Sequence, residues 1–404
     1  MVDEVYMYLN GEAASTMCQI DPSYLEFMDE KGRILVKLLK ALYGCVQSAY
    51  LWYECLKSAI IEFGFQVSTA DKCVFTLGEG QQKTIVAIYV DDLMVTGPDD
   101  RIVKNFFEHL KRKFKNITIN DGVIQSYLGM SFDFTVPKQV TISMKSYIQN
   151  LIKECNINDL ATSPASSNIL SQAGAPINQM TKEKLQSDVA KLLYLAIRVR
   201  QDIQFAVNHL CTRVNMYDES DVKKYQRVIA YLANTIDEHL VLKASSIDPI
   251  PIKLYVDASF AIHTDAKSHS GIVISLGCGS IYSKSTKQKM VTKSSTEAEL
   301  VAASNSIPVA FFIRDIIQSL GYTTQIQLFQ DNTSTIRLIT NGESTSMRTK
   351  HINVKYFHLK EKVDNNEIQL SHLPTELMIA DIHTKPLQGN LLKKLKFALL
   401  NCGD

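Results

Sequence analysis

The reading of this chain turns on Thr84-Ile85-Val86-Ala87-Ile88-Tyr89-Val90-Asp91-Asp92-Leu93-Met94-Val95-Thr96. Residues 84–90 read as a strand that is apolar on both faces and therefore buried. Two adjacent carboxylates follow, and 93–96 runs back as a second strand. The pattern is a tight hairpin with a paired acid at its tip. Adjacent like charges repel, and a fold carries them best beside a cation or solvent. Mg2+ takes carboxylate oxygen together with phosphate, which makes Asp91 and Asp92 candidate metal ligands for phosphoryl transfer. The plain alternative is a solvated turn, where Asp is favoured for local hydrogen bonding.

Around the hairpin, apolar residues at Val46, Tyr50, Tyr53, Leu56, Ile60 and Phe63 predict a helix over 46–63, ended by Gly64. Residues 73–77 form a candidate strand. A second helix is expected over 100–114, with Asp99 and Asp100 at its start and Lys111-Arg112-Lys113 at its end, as the macrodipole favours. Residues 163–182, rich in Ser, Pro and Gly, read as a linker, followed by helical stretches over 183–213 and 219–235. A second boundary falls at 245–251.

The 404 residues, 46% hydrophobic and 21% charged, are ordinary for a globular chain and exclude wholesale disorder and collagen. Lys+Arg 43 against Asp+Glu 42 leaves a net charge of +1, so any nucleic-acid affinity must be local. The eight cysteines contain no C-x-x-C pair, which suggests a reducing compartment. The longest apolar stretches, such as 85–90, fall short of a bilayer. Met1-Val2-Asp3-Glu4 does not begin a signal peptide.

Beyond 251, strands are expected at 253–258, 270–276, 280–283, 325–330 and 367–373. Helices are expected from 296, over 348–363, and from Pro374-Thr375 towards Pro386. Three strands, helix, strand, helix, strand, helix is the order of a mixed α/β sheet. Asp257 lies on its first strand, Glu297 at a helix start, Asp331 just past the fourth strand and Asp381 on the last helix. Four acids meeting at one end of a sheet need divalent metal to offset repulsion and desolvation. Each also has a local reading. Glu297 can close a capping box with Ser294, and Glu299 a second one with Thr296. Asp331, followed by Asn332, can start a turn or cap a helix, and Asp381 can be a solvated helix residue. Pro308, inside the long helix, is expected to bend it.

Taken together these segments resemble the Pol polyprotein of copia-type LTR retrotransposons. Tyr89-Val90-Asp91-Asp92 resembles the reverse transcriptase palm motif. Glu4-Val5-Tyr6-Met7, Lys40 to Gln47 with Trp52-Tyr53, Tyr127-Leu128-Gly129-Met130, Ile142 to Ile148, and Leu193-Tyr194-Leu195 with Arg200-Gln201-Asp202-Ile203 match later blocks of that family. Tyr255-Val256-Asp257-Ala258, Ser294 to Glu299, Asp331-Asn332, Thr349-Lys350-His351-Ile352 and Ala380 to Pro386 are similar to its ribonuclease H part.

The resemblance implies an α+β and α/β multidomain chain. A right-hand polymerase palm with truncated fingers would occupy 1–162, a linker with thumb/connection helices 163–248, a ribonuclease H-like mixed-sheet domain 249–390 and a tail 391–404. It implies RNA-directed DNA polymerase activity, impaired here because the family's first catalytic Asp precedes Glu4-Val5-Tyr6-Met7 and Asp3 does not replace it. It also implies ribonuclease H with two Mg2+ ions per site, or Mn2+.

By the same resemblance, Asp91, Asp92, Asp257, Glu297, Asp331 and Asp381 are catalytic metal ligands. Gln47 and Tyr89 would contact nucleotide or template, although Val46 and Ala49-Tyr50 replace the family's usual Lys and Pro-Arg. His372 is a candidate for proton transfer, and Lys287, with Lys284 and Lys289, for phosphate contact. The partners implied are RNA–DNA hybrid, template RNA and DNA, dNTPs and other Pol products, with no membrane. The setting implied is the cytoplasm within virus-like particles, followed by nuclear entry. The competing reading is a non-catalytic relic that binds nucleic acid or a protein.

Overall fold

The computed structural model of the protein describes residues 4–155, 157, 159–172, 174–341 and 350–402. Asp3 and Thr349 lie outside them. The chain divides into two compact units, residues 1–67, 72–78 and 82–117, and the remainder.

The first unit begins with β1 (Tyr6–Leu9), α1 (Gly11–Ile20) and β2 (Ile34–Lys37), with β2 antiparallel to β1. Ala14, Cys18 and Ile34 form a small core there. α2 (Ser48–Phe63) follows and ends at Gly64, whose φ of 117° suits a residue without Cβ. β3 (Gln66–Val67), β4 (Val74–Leu77), β5 (Thr84–Tyr89) and β6 (Asp92–Thr96) make an antiparallel sheet in that order. α3 (Asp100–Lys113) is capped by Asp99, which accepts the Arg101 N–H at 2.8 Å. Phe106 and Leu110 of α3 and Leu56 and Ile60 of α2 pack on Phe75, Val86 and Ile88. β5 is buried on one face only, at Thr84, Val86 and Ile88, while Ile85 and Ala87 are half-buried. The doubly buried strand expected from the apolar run is thus corrected to an alternating one, because the helices cover a single face.

The second unit opens with β7 (Ile124–Tyr127), β8 (Met130–Asp133), β9 (Val140–Ser143) and α4 (Lys145–Cys155). The helices α5 (Gln179–Arg198), α6 (Gln204–Thr212) and α7 (Glu219–Asn234) come next, then β10 (Leu240–Ala244). β11 (Ile250–Ser259), β12 (His269–Ser275), β13 (Gly277–Cys278) and β14 (Tyr282–Lys287) lead into α8 (Ser295–Ser319) and β15 (Thr324–Gln330). α9 (Thr333–Asn341), α10 (Lys350–Asp364), β16 (Ile368–His372) and α11 (Gly389–Leu400) complete it. One sheet runs β13-β10-β9-β8-β7. The other runs β14-β12-β11-β15-β16, with β12 antiparallel to β11 and to β14, and β15 parallel to β11 and to β16. This second sheet is the mixed sheet implied by the ribonuclease H resemblance.

Three boundaries differ from expectation. The units part near 117, not 162, because β9 pairs with β10 (Ile142 opposite Leu240) and so belongs to the second unit. Within the Ser/Pro-rich segment, Ser163, Ala165 and Ile169 are buried, and Ser163 Oγ contacts the Gln388 side chain at 2.5 Å, so it is not a free linker. Of the expected tail 391–404, the described residues 391–400 belong to α11, with Leu392, Leu395, Leu399 and Leu400 buried.

Two helix expectations are also corrected. α9 was not expected, and residues 375–377 and 379–383 form short 3-10 turns where a helix was. α8 is one helical span with Pro308 inside it. By length and composition α8 could cross a membrane, but half of its most apolar stretch is buried. Ala298, Leu300, Val301 and Ile307 pack in the core beneath the mixed sheet.

A buried ion pair fastens the helices α5 to α7. Arg200 and Asp202 have fully buried side chains and bond in two places, at 3.0 and 2.8 Å. Tyr231 donates to Asp202 at 2.7 Å, and the Thr235 carbonyl accepts from Arg200 at 2.8 Å. Asp202→Ala strands a buried guanidinium and is expected to cost about 3–5 kcal/mol. Urea unfolding of the full chain measures it, and a loss below about 1 kcal/mol would refute a structural role for the pair.

Candidate active site

Three aspartates meet at the ends of the mixed sheet. Asp257 lies near the end of β11, where the Asp257–Gly271 pairing to β12 and the register with β15 fix its backbone. Asp331 follows the last residue of β15. Asp381 sits in the 3-10 turn 379–383. One carboxylate oxygen from each lies within 4.8 Å of the other two. Asp257 and Asp381 are buried and Asp331 is half-buried.

The turn carrying Asp381 reaches this position because β12 has a glycine beneath it. A Cβ at Gly271 would fall 2.5 Å from the Ala380 carbonyl oxygen and 2.8 Å from Thr384 Cγ2. Ser285 Oγ donates to the His383 carbonyl at 2.7 Å and pins the same turn.

The expectation for the fourth acid is corrected. Glu297 turns away, with its carboxylate accepting the Lys293 N–H at 2.8 Å while its own N–H donates to Ser294 Oγ at 3.2 Å. This is the capping arrangement at the start of α8. Glu299, two residues on, is buried against β11. Its Oε1 accepts the Ala258 N–H at 3.0 Å, and its Oε2 accepts from Gln330 Nε2 at 3.2 Å. Gln330 is buried too, and its Oε1 accepts the N–H groups of Asp331 and Asn332 at 2.9 and 3.1 Å. One glutamine side chain therefore ties Glu299 to the backbone of Asp331. Asn332 Oδ1 starts α9 by accepting from Ser334 and Thr335.

Burial and mutual repulsion dominate the electrostatics. Burial, and then the Asp257 charge, raise Asp381 to about 7, against the pull of Lys385. Burial likewise raises Asp257, with the Lys385 charge and the Thr384 hydroxyl opposing. Burial and the neighbouring Asp257 push Glu299 well above the usual carboxylate range. Thr384 Oγ1 donates to Asp257, and Thr375 Oγ1 donates to Asp331 at 2.9 Å. Lys385 Nζ lies 2.7 Å from Asp381 and 3.5 Å from Asp257. Closely spaced carboxylates with an ammonium already among them form a donor set for a hard cation.

His372 and Lys287 do not join the aspartate cluster. His372, exposed at the end of β16, pairs in register with Gln330. Lys287 is bound to Asp265 at 2.9 Å. Glu299, Gln330, Thr384 and Lys385 were not singled out from sequence. Glu299 was legible only as the member of the two possible capping boxes left over once Glu297 had closed the first.

In the first unit, Val90 and Asp91 form a two-residue turn between Tyr89 and Asp92, which face each other across β5 and β6. Val90 has φ 58°, a left-handed conformation costly for a β-branched residue. Trp52 Nε1 donates to its carbonyl at 2.7 Å. Tyr89, Asp91 and Asp92 are exposed, and Gln47 is half-exposed just before α2. Among the described residues, no third acid, His or Cys joins Asp91 and Asp92 at ligand spacing.

The reverse transcriptase (RNA-dependent DNA polymerase) family matches residues 2–166. The retrovirus-related Pol polyprotein from transposon RE1 of Arabidopsis thaliana is 30% identical over 370 residues, covering 89% of this chain and 25% of that protein. The Ty1-BR Gag-Pol polyprotein of Saccharomyces cerevisiae is 27% identical over 408 residues, covering 96% of this chain and 23% of that protein. The chain resembles part of the copia-type retrotransposon Pol polyproteins. It spans only 25% and 23% of the length of these two Pol relatives. A solved foamy viral protease-reverse transcriptase, in complex with RNA/DNA hybrid, shares the fold of this Pol segment at a TM-score of 0.50 and 12% identity, over 86% of this chain and 40% of that one.

Two expectations follow. Val90→Gly relieves the left-handed turn and is expected to stabilise the first unit by about 1 kcal/mol; a lower urea midpoint would refute it. Asp381, raised to about 7 from 3.8, binds a proton between those pH values that the unfolded chain releases. Its contribution to metal-free stability therefore falls as pH rises through that window. Asp381→Asn is expected to be more stable than the parent at pH 8, on the order of 2 kcal/mol, with the gap closing by pH 4. Thermal melts in a chelator at both pH values test the sign.

Proposed function

We propose that the second unit is a ribonuclease H that cleaves the RNA strand of an RNA–DNA hybrid with Mg2+, and that Mn2+ can substitute. The convergence of Asp257, Asp331 and Asp381, with Glu299 behind them, carries this reading. The donor set fits: all the ligands are carboxylate oxygens, held on different elements, and the raised proton affinity of Asp257 and Asp381 marks a site short of positive charge. A divalent ion there supplies a water of lowered pKa and neutralises charge on the leaving oxygen.

The chain itself supplies position. β11 holds Asp257 rigidly. Gly271 admits the turn that brings Asp381, and Gln330 aligns Asp331 with Glu299. His372, exposed beside that register, is placed to accept a proton at the rim. Recognition of the hybrid would run through backbone and 2′-OH rather than base edges.

The first unit is assigned more narrowly. Its hairpin offers Asp91 and Asp92 for nucleotidyl transfer to a template-bound primer, with Tyr89 and Gln47 as contacts. A two-ion site needs ligands for both ions, and two exposed carboxylates on one turn hold such a pair weakly. DNA synthesis by this chain alone is expected to be absent.

Cleavage of an end-labelled RNA–DNA hybrid in Mg2+ tests the assignment. Asp257→Asn and Glu299→Gln are each expected to lower the rate by more than about a hundredfold. Glu297→Gln, which keeps a capping side chain, should cleave like the parent. Loss on Glu297→Gln with retention on Glu299→Gln would overturn the ligand assignment. No cleavage by a folded parent would overturn the nuclease.

A further inference from the structure

Lys385 has an unusual place in this site. It is the only cation bonded to the aspartate cluster among the described residues. Its ammonium lies 2.7 Å from Asp381 Oδ1 and 3.5 Å from Asp257 Oδ1, among the oxygens that would take a metal ion. Its backbone is fixed, because its N–H donates to the Asp381 carbonyl at 3.0 Å and Pro386 follows. Its side chain is not enclosed: about a third of it, 36%, meets solvent, while those of Asp257 and Asp381 are 4% and 3% exposed. A lysine is a compact charge on a flexible four-carbon stem, so such a head can swing out without moving the backbone.

We propose that Lys385 is a tethered counter-cation, which occupies the carboxylate cluster when no divalent ion is bound and is expelled as the ion enters. This rests on the nuclease reading above and deepens it. Buried carboxylates without a cation repel one another strongly, and the ammonium relieves that repulsion in the metal-free chain. The same contact then opposes the incoming ion, because the lysine must give up two carboxylate partners. Lys385 therefore trades metal-free stability against metal affinity, and the site takes up its ions only above a threshold concentration.

Mg2+ titration of the full chain without nucleic acid tests this, read by melting temperature and by calorimetry. Lys385→Met keeps most of the stem and removes the charge. It is expected to melt lower than the parent in chelator and to reach half-saturation at roughly tenfold lower Mg2+, since one fixed charge at this range shifts ion occupancy of a carboxylate at least that much. Lys385→Gln, a polar variant, guards against misfolding of the first and should move in the same direction. Lys385→Arg keeps the charge and should stay near the parent. An unchanged or higher Mg2+ midpoint in both neutral variants overturns the proposal, and a parent that binds no Mg2+ overturns it together with the nuclease reading. Mg2+ binding by a parent that cleaves no hybrid removes only the activity. Hybrid cleavage with unmoved midpoints removes only the lysine's role.

Discussion

Placing Asp257 inside the protein is the constraint from which the architecture of the second unit follows. A carboxylate near the end of a central strand has lost most of its water, and two more aspartates come within bonding range of the same ion. A fold keeps such a group only by surrounding it with donors and cations. Thr384 and Lys385, from the stretch that also carries Asp381, are those surroundings, while the Ala258 amide and Gln330 satisfy the neighbouring Glu299. β11 has to be central for its neighbours to arrive from both sides: β12 brings the glycine that admits the Asp381 turn, and β15 brings Asp331 and Gln330. The long buried α8 lays Glu299 across the strand from below.

The first unit faces the opposite electrostatic situation. Asp91 and Asp92 stand on an exposed hairpin, so water screens their repulsion and the turn needs no counter-charge. What it needs is a left-handed residue, and it has a valine there, held by the Trp52 indole. The two acidic motifs look alike in sequence and differ in structure. One is a rigid, dehydrated cage and the other a hydrated tip.

Much of this was legible in the residues. The strands of the mixed sheet and their order followed from apolar runs and turn signals. Asp257, Asp331 and Asp381 came from their places at strand ends and in a recognisable motif. The errors have physical causes. Glu297 and Glu299 both stand in the first turns of one helix, where sequence cannot say which acid caps and which is carried under the sheet. Gln330 looks like an ordinary strand residue until its side chain is seen bonding two backbone amides. The Ser/Pro-rich segment has the composition of a linker, but burial depends on what lies against it. α11 was read as a tail because its leucines find partners only in elements distant in sequence.

The pairing of β9 with β10 reaches further than its three rungs suggest. Segment 118–155 precedes the helices α5 to α7 in the chain, while β10 and β13 follow them, so the sheet closes across nearly the whole middle of the sequence. Dissecting the protein at residue 162, where motif boundaries would place the scissors, would leave both pieces with a raw strand edge. Such edges recruit other chains, and each fragment would tend to precipitate. A cut near 118 severs no rung of that ladder. The natural module for recombinant work is therefore the mixed-sheet domain together with the strands that precede its helices, not the mixed sheet alone.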